Sequence, residues 1–133
     1  VLSGAQSAES KDASHIEIDF HAGGGLSLME RLIGYDRAVI VDAINTNQRP
    51  PGSVDYFRLE DLPALAVSHL ASAHETNLQT ALQVGRKIHA TLPNEILVVA
   101  IETQNVYDFS DQLSPMVANA LPHAVEVTLN QLR

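Results

Sequence analysis

Asp42 ends the run Ala38-Val39-Ile40-Val41, and Glu102 ends a second run, Ile96-Leu97-Val98-Val99-Ala100-Ile101. Both runs are continuous and apolar, the pattern of strands covered on both faces. A carboxylate that closes such a strand stands at the border between core and solvent. There it can meet a cation, move a proton, or simply accept hydrogen bonds from loop amides. For Asp42 the site reading and the capping reading both stay open. Together with Glu102 it has the makings of a carboxylate dyad, although their spacing along the chain fixes no distance. His74 lies in Ser72-Ala73-His74-Glu75-Thr76-Asn77-Leu78, at or just before a helix start. Imidazole suits nickel and zinc, and a histidine there can reach across the same crevice. Taken alone, it reads first as a solvated or hydrogen-bonded surface group. His69, five residues earlier, has less claim to a ligand role, and His15 and His21 flank a short strand.

Several other chemistries are absent as motifs. There is no H-E-x-x-H. Gly23-Gly24-Gly25 lacks both the G-x-G-x-x-G order and the Lys-Ser/Thr of a phosphate-binding loop, and reads as a tight turn between strand and helix. Ser114 is not framed by G-x-S-x-G and is better placed as a helix cap than as a nucleophile. With no cysteine in the chain, disulfides, thiolate metal sites and thiol nucleophiles drop out together.

The residues that position these groups form one domain of 133 residues, long enough for a single core. Sixteen acidic residues against eight Lys and Arg give a formal charge of −8, with no basic stripe for nucleic acid or an anionic membrane surface. No apolar run approaches the roughly 20 residues of a membrane span, and the lack of cysteine suits the reducing cytoplasm. The chain begins Val1-Leu2-Ser3-Gly4, without methionine or a signal sequence, so further sequence is expected upstream.

Residues 1–15 are small and polar and read as a loop or flexible arm; residues 16–133 read as a single α/β domain. Ile16-Glu17-Ile18-Asp19-Phe20 alternates as a half-covered strand. Leu26 to Ile33 is a short amphipathic helix, with Gly34 at a left-handed cap position. Pro50-Pro51-Gly52 turns the chain into an edge strand through Val54, Tyr56, Phe57 and Leu59. A helix follows with the stripe Leu78, Ala81, Leu82, Gly85, Ile88, Leu92; Ser72/Glu75 and Thr76/Gln79 offer alternative capping boxes. The last helix opens Ser114-Pro115 and carries Val117, Ala120, Leu121, Ala124, Val125, Thr128 and Leu132 inward. This order predicts an α/β fold, a three-layer α/β/α arrangement with a mostly parallel twisted sheet and an antiparallel edge strand. In such sheets ligands gather at the carboxyl ends of the parallel strands, where Asp42 and Glu102 fall.

Four segments in this order resemble the hydrogenase maturation endopeptidases. Gly34-Tyr35-Asp36-Arg37-Ala38-Val39-Ile40-Val41-Asp42-Ala43 is similar to that family's G-x-D-R-hydrophobic-V-D-A segment, and Pro51-Gly52-Ser53-Val54 to its P-G-T-V turn. Ser72 to Leu78 resembles S-x-H-E-x-x-L, and Leu113-Ser114-Pro115-Met116-Val117 the L-S-P-x-V opening of the last helix. The resemblance implies a five-stranded α/β/α fold and removal of a C-terminal extension from a hydrogenase large-subunit precursor after nickel insertion. It implies that Asp42 and His74 contact that nickel, that Asp42 carries the catalytic role, and that the metal is supplied by the substrate with no organic cofactor. The implied partner is the precursor, in the cytoplasm, with neither nucleic acid nor membrane involved. A non-cleaving, nickel-dependent docking protein is the alternative, and a nucleotide-binding module a third. Two departures stand out. The family's opening strand, first helix and first acidic ligand have no counterpart here, and its D-G-G-T-x-G turn is replaced by Phe20-His21-Ala22-Gly23-Gly24-Gly25.

Overall fold

The computed structural model describes residues 2–7, 15–61, 73–103 and 115–133; for 2–7 and 73–77 it describes the backbone alone. The elements run β1 (Leu2–Ser7), β2 (Glu17–Phe20), α1 (Gly25–Leu32), β3 (Tyr35–Ile44), β4 (Val54–Arg58), a 3-10 turn (Leu59–Asp61), α2 (Ala73–Lys87), β5 (Glu95–Glu102) and α3 (Pro115–Leu132). The strands form one sheet in the order β2-β1-β3-β5-β4.

The two apolar runs become β3 and β5, paired in parallel at the centre of the fold. Side chains alternate across the sheet, so each strand feeds two cores. Ala38, Ile40, Ile96, Val98 and Ala100 pack against Leu28, Met29 and Leu32 of α1 and Leu78, Ala81 and Leu82 of α2. On the opposite face Val39, Leu97 and Val99 meet Leu132 of α3, while Ile101 meets its Val117, Ala120 and Ala124. Covering on both faces explains why these strands are uninterruptedly apolar, and makes the fold a three-layer α/β/α arrangement. As expected, β4 is an antiparallel edge strand on β5.

Two readings of the amino-terminal region need correction. Leu2–Ser7, expected within a loop or flexible arm, is a strand lying antiparallel between β2 and β3. It shows no apolar alternation because its place is set by backbone hydrogen bonds: β2 and β3 both present ladder groups that require partners. As a result β2, β3 and β5 share one direction while β1 and β4 oppose it, and β3–β5 is the parallel pair among neighbouring strands. The sheet is mixed rather than mostly parallel. The alternation in β2 is present, but Ile18 and Phe20 are 69% and 78% exposed. Their register through Gly4 and Leu2 to Val39 and Val41 puts them on the α3 face, and α3 packs on β3, β4 and β5.

Helix boundaries follow local chemistry. Gly34 takes the left-handed φ of 95° expected after α1, and its amide donates to Thr91 O. Pro115 opens α3, where its missing N–H costs nothing; Ser114 lies outside the described residues. Along α3, Leu121 and Val125 are exposed rather than inward, and Ile88 lies beyond the end of α2 and is exposed. Gly52 holds the turn before β4 at φ 89°, and a β-carbon there would come within 2.8 Å of Met116 O.

Candidate functional site

Register fixes the site. Asp42 pairs with Ala100 and Ile44 with Glu102, so both carboxylates lie on the α1/α2 face at the carboxyl ends of β3 and β5. From strand spacing and rise their Cα atoms are about 8 Å apart on the diagonal. They are not equivalent. Glu102 is 2% exposed and fully committed: its carboxylate accepts from Thr46 N at 2.7 Å and from the Thr46 hydroxyl. Thr103 N donates to Ile44 O at 2.7 Å, closing the same corner. Glu102 thereby straps the turn after β3 to the end of β5, and a working dyad with Asp42 is not what this arrangement offers.

Asp42 is half-buried and half-used. Its Oδ1 accepts from Ala43 N at 2.9 Å, whereas Oδ2 is buried with no hydrogen-bond partner among the described residues. A carboxylate oxygen withdrawn from water without a donor is unfavourable, and calls for a cation or a donor. Asn45 Oδ1, three residues on, is likewise buried and unpartnered among the described residues. A cleft of about 370 Å³ at the ends of β3 and β5 is lined by Ile44, Thr46, Arg49, Asp55, Phe57 and Glu102, and neither Asp42 nor Asn45 lines it. Arg49 is paired with Asp55.

The direction of α2 follows from its exit. Asn94 N donates to Asp36 O at 2.9 Å, so the loop leaving α2 sits at the amino end of β3. The start of α2, with His74, therefore points back to the carboxyl ends, on the face where Asp42 stands. The His74 side chain lies outside the described residues, as does His69.

A further pair came from no motif. Leu2 lies opposite both Phe20 and Val41, so His21, the next residue after β2, is level with Asp42 two strands away. Ser27 Oγ, in the first turn of α1, contacts His21 Nε2 at 3.0 Å and donates to Gly24 O at 3.0 Å. That contact brings the ring onto the α1/α2 face. Gly23 makes the space: a β-carbon there would be 2.4 Å from Ser27 Oγ and 2.9 Å from Nε2. The sequence signal was a glycine lying between a histidine and a serine, inside the turn where the family pattern changes.

Among the described residues no three His, Cys, Asp or Glu side chains converge on a metal position, and no helix is long and apolar enough to cross a membrane.

Comparison with known proteins agrees with the fold. Residues 16–131 match the family model described as hydrogenase maturation protease (HycI). The chain is similar to the hydrogenase maturating endopeptidase HybD from E. coli, at 26% identity and a TM-score of 0.67, over 83% of this chain and 66% of that one. It is also similar to an endopeptidase from Escherichia coli known from a solution structure, at 27% identity and a TM-score of 0.66, over 82% and 65%. The chain thus spans just under two thirds of the length of these relatives. No curated protein matches it. The extent of the family match shows that the chain belongs to the hydrogenase maturation protease family.

Proposed function

We propose that the protein is an endopeptidase that removes the C-terminal extension of a nickel-containing hydrogenase large-subunit precursor, and that it recognises the nickel already inserted. The match of residues 16–131 to the hydrogenase maturation proteases carries this reading. The geometry supports it at the right place. Asp42 keeps a buried Oδ2 at the sheet mouth with no hydrogen-bond partner among the described residues, and the first turn of α2, which contains His74, starts on the same face. A carboxylate and an imidazole there suit a divalent nickel ion whose coordination is still open. In this reading the metal belongs to the substrate, and Asp42 carries the catalytic role by holding it against the scissile segment.

The test uses the full-length protein with nickel-loaded and nickel-free precursor, following release of the C-terminal extension by mass spectrometry. Loaded precursor is cut and nickel-free precursor is left intact. Equal cleavage of both would show that the polypeptide is read and the metal is not; no cleavage of either would remove the peptidase assignment.

A further inference from the structure

We propose that His21 is a further metal-contacting residue at this mouth, donating its Nδ1 lone pair to a divalent cation that also meets Asp42.

A hydroxyl has one proton, and that of Ser27 is given to Gly24 O. The direction of the 3.0 Å contact with His21 Nε2 goes with the tautomer, and we assign Nε2–H as its donor and the Ser27 oxygen as its acceptor. The proton is on Nε2, and Nδ1 is left with a lone pair and no partner among the described residues. A metal-ligating histidine is ordinarily held this way, with one ring nitrogen donating to a neighbour so that the other faces the ion. Here the holding chain runs from imidazole to Ser27 to a backbone carbonyl in the first turn of α1. It exists because residue 23 has no side chain to fill the space.

The helix does not need this contact. The amide of Leu28 already donates to Gly24 O, and no side chain caps α1. Nor does His21 belong to either core cluster. What the arrangement does is set an oriented nitrogen donor level with Asp42, on the same face and at the same end of the sheet. Asp42 Oδ2 is, with Asn45 Oδ1, a buried oxygen without a hydrogen-bond partner among the described residues. A neutral imidazole nitrogen and a carboxylate oxygen suit nickel or zinc. Two ligands do not make a resident site, but they suit an ion whose remaining ligands arrive with a substrate. The inference thus deepens the proposed function, and its test uses the metal alone so that the two can fail separately.

The experiment is a zinc titration of the full-length protein labelled with 15N at histidine and 13C at the aspartate carboxyl carbons, followed by NMR at His21 and at the Asp42 carboxyl. In the metal-free protein, His21 shows the Nε2–H tautomer. On adding zinc, His21 Nδ1 and Asp42 shift together with one affinity. His21→Gln, which keeps a donor near the Nε2 position but loses the Nδ1 lone pair, weakens zinc binding at Asp42 at least about tenfold. Ser27→Ala leaves the ring but frees its orientation, and weakens binding by about ten- to a hundredfold. An Nδ1–H tautomer overturns the proposal. So does His21 staying unmoved while Asp42 shifts, or no response at either residue up to millimolar zinc. Precursor processing measured in parallel keeps the inferences apart: intact processing with an inert His21 removes only this one.

Discussion

Glu102 accepts both the backbone amide and the hydroxyl of Thr46, two groups 56 residues away in sequence, inside a corner where both residues are nearly sealed from water. No cation faces the Glu102 carboxylate among these contacts, so its burial rests on these two donors. Glu102→Ala strands a buried amide and hydroxyl and leaves a void, and is expected to destabilise the fold by about 2–4 kcal/mol. Thr46→Val removes one donor from a buried charge and should be destabilising by about 1–3 kcal/mol. Urea unfolding of both variants and of the double variant gives the coupling. Additive losses would mean that the two side chains do not act as a unit.

Gly52 gives a second, independent check on the architecture around the mouth. Its φ of 89° is strained for any L side chain, and a β-carbon would press to 2.8 Å from Met116 O, a backbone atom that cannot swing aside. Gly52→Ala is expected to destabilise by about 2–4 kcal/mol, combining the backbone strain with displacement of the first turn of α3. Gly24→Ala is the control. It has an ordinary φ and nothing within 4 Å of a β-carbon, so its change should cost no more than the loss of a favourable N-cap residue, about 1 kcal/mol. Thermal unfolding of the two variants separates them; similar losses would place the Gly52 turn elsewhere.

The centre of the fold was legible because burial on both faces leaves a direct mark. Only continuous apolar runs such as Val39-Ile40-Val41 and Leu97-Val98-Val99 can serve there, and the Pro115 start of α3 carries its own backbone signature. The strand Leu2–Ser7 was illegible because its sequence has no apolar alternation; it pairs by backbone with the open ladders of β2 and β3. Exposure of Ile18, Phe20, Leu121 and Val125 was illegible for a related reason: period shows which residues share a face, not whether a distant helix covers it. The place of Asp42 at the carboxyl end of β3 could be read from strand position alone. The commitment of Glu102 to Thr46, and the level placement of His21 with Asp42, both depend on register, which one strand's sequence does not state.

A pH measurement tests the edge of the sheet. The Tyr35 hydroxyl donates to Glu17, joining β2 to β3 across β1, and with His15 it holds the exposed Glu17 carboxyl below its ordinary value of 4.5. The same bond raises Tyr35 above its ordinary value of 10.0. For Glu17, lowered in the folded state, the contribution is present above the unfolded carboxyl range and lost as pH falls through the depressed folded value. For Tyr35, raised in the folded state, it is present below the unfolded phenol range and lost as pH rises through the folded value. NMR titration should therefore find the Glu17 midpoint lower in the wild-type protein than in Tyr35→Phe. Identical midpoints would remove the bond.

The last prediction concerns Asp42 and the two histidines near α2. Asparagine at position 42 keeps an oxygen that can accept from Ala43 N, so the one observed hydrogen bond of this side chain survives. What disappears is the negative charge at the buried, unpartnered oxygen, the atom available to a metal. Asp42→Asn should therefore stay folded, within about 1 kcal/mol of wild type, and lose precursor processing. His74 occupies the second described position of α2, whose Leu78, Ala81 and Leu82 are anchored in the core, and the helix start faces the carboxyl ends of the strands. An imidazole on that anchored turn is proposed to share the metal with Asp42, whereas His69 lies outside the described residues. His74→Ala is expected to abolish processing, and His69→Ala to leave it nearly intact, with a stability change under about 0.5 kcal/mol. Circular dichroism confirms folding of each variant before the cleavage assay is read. Full processing by folded Asp42→Asn ends its metal role, and loss in His69→Ala with retention in His74→Ala moves the imidazole contact five residues back in the sequence.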